Sequence, residues 1–152
     1  MYLLDTNICI LAIKSKPQNV IENIKVRLED GIFISSLTVA ELEFGVANSK
    51  QVENNRVALF KFLSFFNTII FENKDAVVYG MVRHKLKVKG QIIGPIDMLL
   101  AAQAISKGLI LITNNSKEFL RVDNLKTEDW TNPFWNNLLW KKVLNKIFKM
   151  AN

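Results

Sequence analysis

Gly108-Leu109-Ile110-Leu111-Ile112-Thr113-Asn114-Asn115 is the stretch on which the fold turns. Four consecutive apolar residues, with a glycine before them and polar turn-formers after, read as a strand buried on both faces. On its N-terminal side, Ile96 to Lys107 reads as a helix, opened by Gly94-Pro95 and stopped by Gly108. Further back lie a long helix from Lys74 to Lys89, closed by Gly90, and a strand at Thr68-Ile69-Ile70-Phe71. A helix from roughly Glu53 to Phe66 precedes that strand, and another carries Glu41 and Glu43 after Ser35-Ser36-Leu37-Thr38. Ile32-Phe33-Ile34 is a second strand, and Tyr2-Leu3-Leu4, ending on Asp5, is the first. Between these two come a helical segment through Ile13, a break at Lys14-Ser15-Lys16-Pro17, and a helix from Pro17 to about Asp30 with Gly31 as its stop. Leu125-Lys126 is expected as a last short edge strand. Strands alternating with helices predict an α/β fold: a parallel sheet covered on both faces.

Composition bounds the possibilities. A chain of 152 residues that is 49% hydrophobic suits one domain with a sizeable core. No apolar run nears the roughly 20 residues that span a bilayer, and the first residues lack a secretory pattern, so a cytoplasmic protein is expected. Cys9 is the sole cysteine and, within Ile8-Cys9-Ile10-Leu11, reads as a small buried hydrophobe. The formal charge is +6, but Thr131 to Asn152 holds four lysines and no acid, which leaves +2 on the first 130 residues. Basicity alone is therefore weak support for nucleic-acid binding by the globular part.

The acids carry more information. Ligands of open parallel sheets gather at the C-terminal ends of the strands. Asp5 ends the first strand, Glu41 follows the second, Asp97 opens the helix that feeds the fourth, and Asn114, Asn115 and Glu118 follow that fourth strand. Right-handed crossovers bring these junctions to one edge. Carboxylates crowded together repel unless one is protonated or a cation sits among them. Oxygen-only ligands suit Mg²⁺ or Mn²⁺, and the lone histidine, His84 in Arg83-His84-Lys85, reads as a surface residue. A metal so held activates water against a phosphodiester. Each acid also has an ordinary explanation: Asp5 as a helix cap, Asp97 as a partner of the helix dipole, and Glu41 as the end of a capping box Thr38-Val39-Ala40-Glu41. Glu43, two positions from Glu41, falls about 200° round the helix and away from the site.

The segments Met1-Tyr2-Leu3-Leu4-Asp5-Thr6-Asn7-Ile8, Ile34-Ser35-Ser36-Leu37-Thr38-Val39-Ala40-Glu41-Leu42, Ile93-Gly94-Pro95-Ile96-Asp97, Leu111-Ile112-Thr113-Asn114-Asn115-Ser116-Lys117-Glu118-Phe119 and Glu128-Asp129-Trp130, in that order, resemble a PIN-domain ribonuclease. More narrowly they resemble the VapC toxins of bacterial toxin–antitoxin pairs. The resemblance covers residues 1–130. It implies a three-layer α/β/α domain, dependence on Mg²⁺ or Mn²⁺, and RNA cleavage. It matches Asp5 and Asp97 to metal ligands, Glu41 to the acid completing the cluster, and Thr6 and Thr113 to hydroxyls that orient these carboxylates or simply cap turns. Asn115 stands where many relatives have a fourth acid, leaving that place open between Asn115 and Glu118. Ile96 departs from the polar or aromatic residue often found before this aspartate. The Thr-Asn-Asn-x-x-Glu-Phe wording is similar to toxins that cut the anticodon loop of initiator tRNA. The implied partners are RNA, a VapB-type antitoxin and a second copy of the chain, with the Val52–Phe66 helix (Val57, Phe60, Leu63, Phe66) either a dimer surface or an ordinary core-facing helix.

Residues 131–152 extend past the family pattern. Phe134, Trp135, Leu138, Leu139, Val143, Leu144, Ile147 and Phe148 predict one apolar helical face opposite the lysines, in an added C-terminal amphipathic helix. Such a helix packs on the domain or a second subunit, contacts RNA, or lies on a membrane surface without stable insertion. Two other classes compete for the function. A phosphotransfer protein lacks support, since Asp5-Thr6-Asn7 has no second aspartate, whereas a catalytically silent scaffold of the same fold would normally have lost one of the acids.

Overall fold

The structure is a computed structural model that describes residues 1–132; the amphipathic extension expected beyond lies outside the described residues. Five strands form one parallel sheet in the order β3-β2-β1-β4-β5. They are β1 (Tyr2–Leu4), β2 (Ile32–Ser35), β3 (Asn67–Ile69), β4 (Ile110–Ile112) and β5 (Thr127–Glu128). The helices are α1 (Thr6–Ile13), α2 (Gln18–Arg27), α3 (Ser36–Ala47), α4 (Val52–Leu63), α5 (Asn73–Val88), α6 (Pro95–Lys107) and the short α7 (Ser116–Phe119), with a 3₁₀ turn at Leu28–Asp30.

The period-two alternation of a strand sends neighbouring side chains to opposite faces. Leu4, Ile34 and Ile112 meet Ile8, Val20, Leu42 and Leu59 on one face, which packs against α1 to α4. Leu3 and Leu111 meet Val82, Leu86, Leu100 and Ala104 on the other, which packs against α5 and α6. The three layers expected from the resemblance are thus present, and both faces of the sheet are sealed. The chain runs from β1 outward through β2 to β3, then crosses by α5 and α6 to β4 on the other side of β1. The order of strands therefore reverses beside β1, where a crevice opens at the strand ends.

Several boundaries move from their expected places. The last strand is Thr127–Glu128 rather than Leu125-Lys126, because Leu111 and Thr113 donate to the carbonyls of Lys126 (2.9 Å) and Glu128 (3.0 Å). Pairing begins only after the chain has turned at Asn124, whose φ is +64°. The third strand is Asn67–Ile69 rather than Thr68–Phe71, and the carbonyl of Ile70 accepts from Gln103 Nε2 at 2.9 Å instead of extending a ladder. Pro17 stands just outside α2 in extended backbone, and the helix gives way to 3₁₀ at Leu28 before Gly31 turns the chain with φ +84°. α4 stops at Leu63, where the Ser64 hydroxyl donates to the Lys61 carbonyl at 2.7 Å. Leu59 of α4 is core, Leu63 and Phe66 are half-buried, and Val57 and Phe60 are exposed, so α4 is both core-facing and apolar outside.

Cys9 is wholly buried, and burial pushes its thiol up, out of the reactive range. Among the described residues, no helix is long and apolar enough to cross a membrane. Trp130 closes the domain near the start of the chain. It is fully buried, donates from its indole N–H to Glu128 at 2.9 Å, and meets Tyr2 edge-on at 5.2 Å. The Arg27 guanidinium lies 5.1 Å from its ring centroid. Trp130→Ala is therefore expected to lower stability by about 3–5 kcal/mol, the usual cost of emptying a large buried aromatic site, as measured by urea unfolding.

Candidate active site

The crevice is built from backbone first. The Asp5 N–H donates to the Ile112 carbonyl at 3.0 Å, ending the β1–β4 ladder, and its own carbonyl accepts from the Cys9 N–H at 3.0 Å, starting α1. A strand ladder and a helix ladder thus both pin residue 5, and its side chain is only 5% exposed. Thr113, one residue past β4, is fully buried and donates from Oγ1 to Asp5 Oδ2 at 2.7 Å. The same Oγ1 accepts from the backbone N–H of Asn115 at 2.9 Å. With its acceptor side taken by that amide, the hydroxyl proton is directed at Asp5.

Glu41 is not part of a capping box. α3 begins at Ser36, and its cap is Ser35, whose hydroxyl accepts from the Leu37 N–H at 3.1 Å. Glu41 therefore sits in the second turn, where the Thr6 hydroxyl donates to its Oε2. Glu43 turns away, as expected, to pair with Arg56 at 2.7 Å. Thr6 and Thr113 each orient one carboxylate.

Asp97 lies in the first turn of α6, with Pro95 as the first helical residue and Gly94 before it. Gly94 has φ −54° and ψ 144°, open to any residue, so backbone freedom does not require a glycine there. Space does. A Cβ at position 94 would stand 3.0 Å from Asp97 Oδ2. Sequence reasoning took Gly94 only as a helix opener. The available signal was its spacing, because a cap residue and the third helical residue normally face one another.

The charges reveal what the cluster lacks. A carboxylate that merely complemented a helix dipole would be held low. Burial instead pushes Asp97 up to about 7, with further upward pushes from the charges on Asp5, Glu118 and Glu41 and from a hydrogen bond with Glu118. Asp5 is also raised: burial outweighs the opposing pull of Thr113 and of the Thr6 and Asn7 amides, and Glu41 adds to the rise. Those amides close no capping hydrogen bond onto Asp5. The structure thus brings Asp5, Glu41, Asp97 and Glu118 into one electrostatic field. Asn115 enters through its backbone N–H, by way of Thr113, and His84 is exposed on α5.

Among the described residues, no three acid, His or Cys side chains close into a ready-made metal shell. The donor set still fits a hard divalent cation. It is all oxygen, two members are held by hydroxyl donors, and two are raised by burial and by one another. A cation among these four acids would remove the repulsion that raises Asp97.

Comparison with known proteins identifies the family. Residues 2–125 match the PIN domain family. Ribonuclease VapC2 of Rickettsia felis is 44% identical over 131 residues, spanning 86% of this chain and 98% of that protein. The tRNA(fMet)-specific endonuclease VapC of Shigella flexneri is 39% identical over 130 residues, with the same coverage. Among solved structures, VapBC2 from Rickettsia felis bound to a promoter DNA fragment superposes with a TM-score of 0.81 at 42% identity, covering 85% of this chain and 98% of that one. With this family match and these relatives, the chain belongs to the VapC ribonucleases of the PIN-domain family.

Proposed function

We propose that this chain is the toxin of a toxin–antitoxin pair, an endoribonuclease that uses Mg²⁺ or Mn²⁺ to hydrolyse a phosphodiester in structured RNA. The observation that carries this reading is the gathering of four acids in one crevice, where burial and the charges on Asp5, Glu118 and Glu41 all push Asp97 up. Asp5 and Asp97 are the metal ligands, Glu41 completes the cluster directly or through water, and Glu118 rather than Asn115 is the fourth carboxylate. Bound there, the metal supplies a water of lowered pKa and positive charge for the phosphoryl oxygen. The chain's own residues supply placement. Thr113 fixes Asp5, Thr6 fixes Glu41, and the amide of Asn115 fixes Thr113. Gly94 leaves Asp97 the room to sit where it does.

The Shigella relative is named as specific for tRNA(fMet), which supports the anticodon loop of initiator tRNA as the target. The similar structures from Rickettsia felis and Salmonella typhimurium are VapBC complexes, which supports a VapB-type antitoxin as partner. A groove of about 230 Å³, in which Ile10, Leu42 and Val46 lie beside Glu41, suits an antitoxin segment that would block the acids. Val57 and Phe60, exposed on α4, suit a homodimer contact.

The direct test is cleavage of purified initiator tRNA with mapped products. Mg²⁺ or Mn²⁺ is expected to support cutting, and Asp5→Asn or Asp97→Asn to lower the rate at least ~100-fold while circular dichroism stays unchanged, since several kcal/mol of charge stabilisation depend on the metal. Full activity in excess EDTA, or in either variant, would sink the mechanism, and tight binding without any cut would mark a scaffold. Gly94→Ala separates placement from folding. Its backbone angles tolerate alanine, so the melting temperature should hold or rise slightly, while cleavage falls about 10–100-fold as Asp97 is displaced.

Stability against pH gives an activity-free check. The folded-state pKa of Asp97, about 7, lies above its ordinary 3.8. Its contribution is therefore fully present below pH ~4, is lost as pH rises toward ~7, and changes little beyond. Without metal, the melting temperature should fall across that window more steeply in the wild type than in Asp97→Asn. Mn²⁺ should raise it more at pH 8 than at pH 5. Equal slopes in the two proteins would contradict the uncompensated cluster.

A further inference from the structure

On the opposite side of α6 from the acids, the last turns of α5 and the approach to α6 enclose an open groove of about 640 Å³. Arg83, His84 and Lys87 line one wall, and Ile92 and Pro95 line the other. Arg83 and Lys87 are one turn apart on the same helix face, about 6 Å along the axis, with His84 between them. Their neighbours on α5 are differently engaged: Lys85 and Lys89 both pair with Asp123, at 3.8 and 2.8 Å. Arg83 touches only a phenol, its Nη1 lying 3.2 Å from Tyr79 Oη. Among the described residues, neither Arg83 nor Lys87 has a carboxylate partner.

Pro95 is the first residue of α6 and Asp97 the third, about 200° apart round the helix. The groove therefore does not share the acid pocket. It lies across the tip of the helix, within about a helix diameter, on the order of 10–12 Å. A strand held at the acids and bending over that tip would reach the groove within a few nucleotides.

We propose that this groove binds the sugar–phosphate backbone of the substrate RNA next to the cut site, with Arg83 and Lys87 on successive phosphates, His84 as a further donor, and Ile92 and Pro95 against a nucleoside face. The proposal rests on the ribonuclease reading, and it answers a difficulty in that reading. Four acids repel a polyanion, and the domain up to residue 130 carries a formal charge of only +2. Affinity must come from local cations set outside the acid pocket, because within it they would pair with the carboxylates and compete with the metal. Arg83 and Lys87 are placed to bind without touching the reacting atoms, so their contribution is to position the strand.

The test is the double variant Arg83→Gln/Lys87→Gln in the full chain. Fluorescence anisotropy with a labelled single-stranded RNA in the Asp97→Asn background should show affinity about tenfold weaker at low salt. The slope of log affinity against log salt should drop by about 1.4, roughly 0.7 for each phosphate no longer neutralised. In the otherwise wild-type protein, KM should rise while kcat stays within twofold. Arg83→Lys/Lys87→Arg should restore most of the affinity, and Lys25→Gln, on the far face of the sheet, should change nothing. Unchanged KM and salt slope in an active enzyme would overturn the groove while leaving the nuclease reading intact. Weakened RNA binding in a protein that cuts no RNA would support the groove and count against the nuclease. Unchanged RNA affinity with weakened binding of a poly-glutamate peptide would assign the groove to an acidic protein partner and overturn the proposal.

Discussion

The site depends on the pairing of β1 on both sides. Leu4 stands level with Ile34 of β2 and with Ile112 of β4, so residues 5, 35 and 113 follow side by side at the strand ends. These three residues do different work: Asp5 supplies a carboxylate, Ser35 caps the helix that carries Glu41, and Thr113 holds Asp5. A slip of one residue in either ladder would turn the core face of β1 toward the wrong layer and separate the three. Register is thus set by two buried hydrophobic faces, and the chemistry at the edge follows from it. This explains why so little dedicated structure is needed at the crevice. The core places the acids to within a residue, and two threonine hydroxyls finish the alignment.

Much of this was legible in the sequence because the signals are local. Apolar runs between turn-formers marked β1, β2 and β4, and Gly94-Pro95 and Gly108 bracketed α6 almost to the residue. The acids were legible from their place at strand ends. Less legible was anything decided by contacts distant in sequence. Asn115 and Glu118 could not be separated from composition, because the difference lies in which side chain faces Asp97 across the crevice. Thr38-Val39-Ala40-Glu41 has the wording of a capping box, yet Ser35 is the cap, since β2 runs straight into α3 and leaves no room for a later start. The edge strands slipped by one or two residues because an edge takes its limits from its single neighbour. Gly94 was missed for a related reason: its importance lies in what a side chain would strike, which no pattern of residue types records.

Electrostatics divides the molecule by function. Several basic side chains are neutralised in place, Lys107 by Glu72 and Asp75, Arg27 by Glu128, Lys85 and Lys89 by Asp123. Such pairs are mostly exposed and contribute little to stability individually. Their effect is to flatten the surface potential where no ligand is wanted. The acid crevice and the groove beside α6 are not flattened in this way. The high overall charge of the chain misleads on this point, because four of its lysines lie beyond residue 132. What matters for a polyanionic substrate is the separation of the two sites: close enough for one strand to span, and far enough that the cations do not quench the acids.

That separation also bears on why the cluster tolerates its own repulsion. Leaving Asp97 raised to about 7 destabilises the charged, metal-free protein, and a salt bridge into the crevice would relieve it. A lysine or arginine there, however, would take the position that the proposed divalent cation would need. The structure instead leaves the penalty in place and backs the acids with neutral donors. Thr6 and Thr113 fix orientation without adding charge. A hydroxyl lowers the cost of an ionised carboxylate only modestly, so most of the repulsion would remain for a cation to relieve. A divalent cation bound there would draw its affinity from the same repulsion that raises Asp97. A basic side chain from a partner could use that same affinity to occupy the crevice, so the feature that would make this site a catalyst also makes it easy to block.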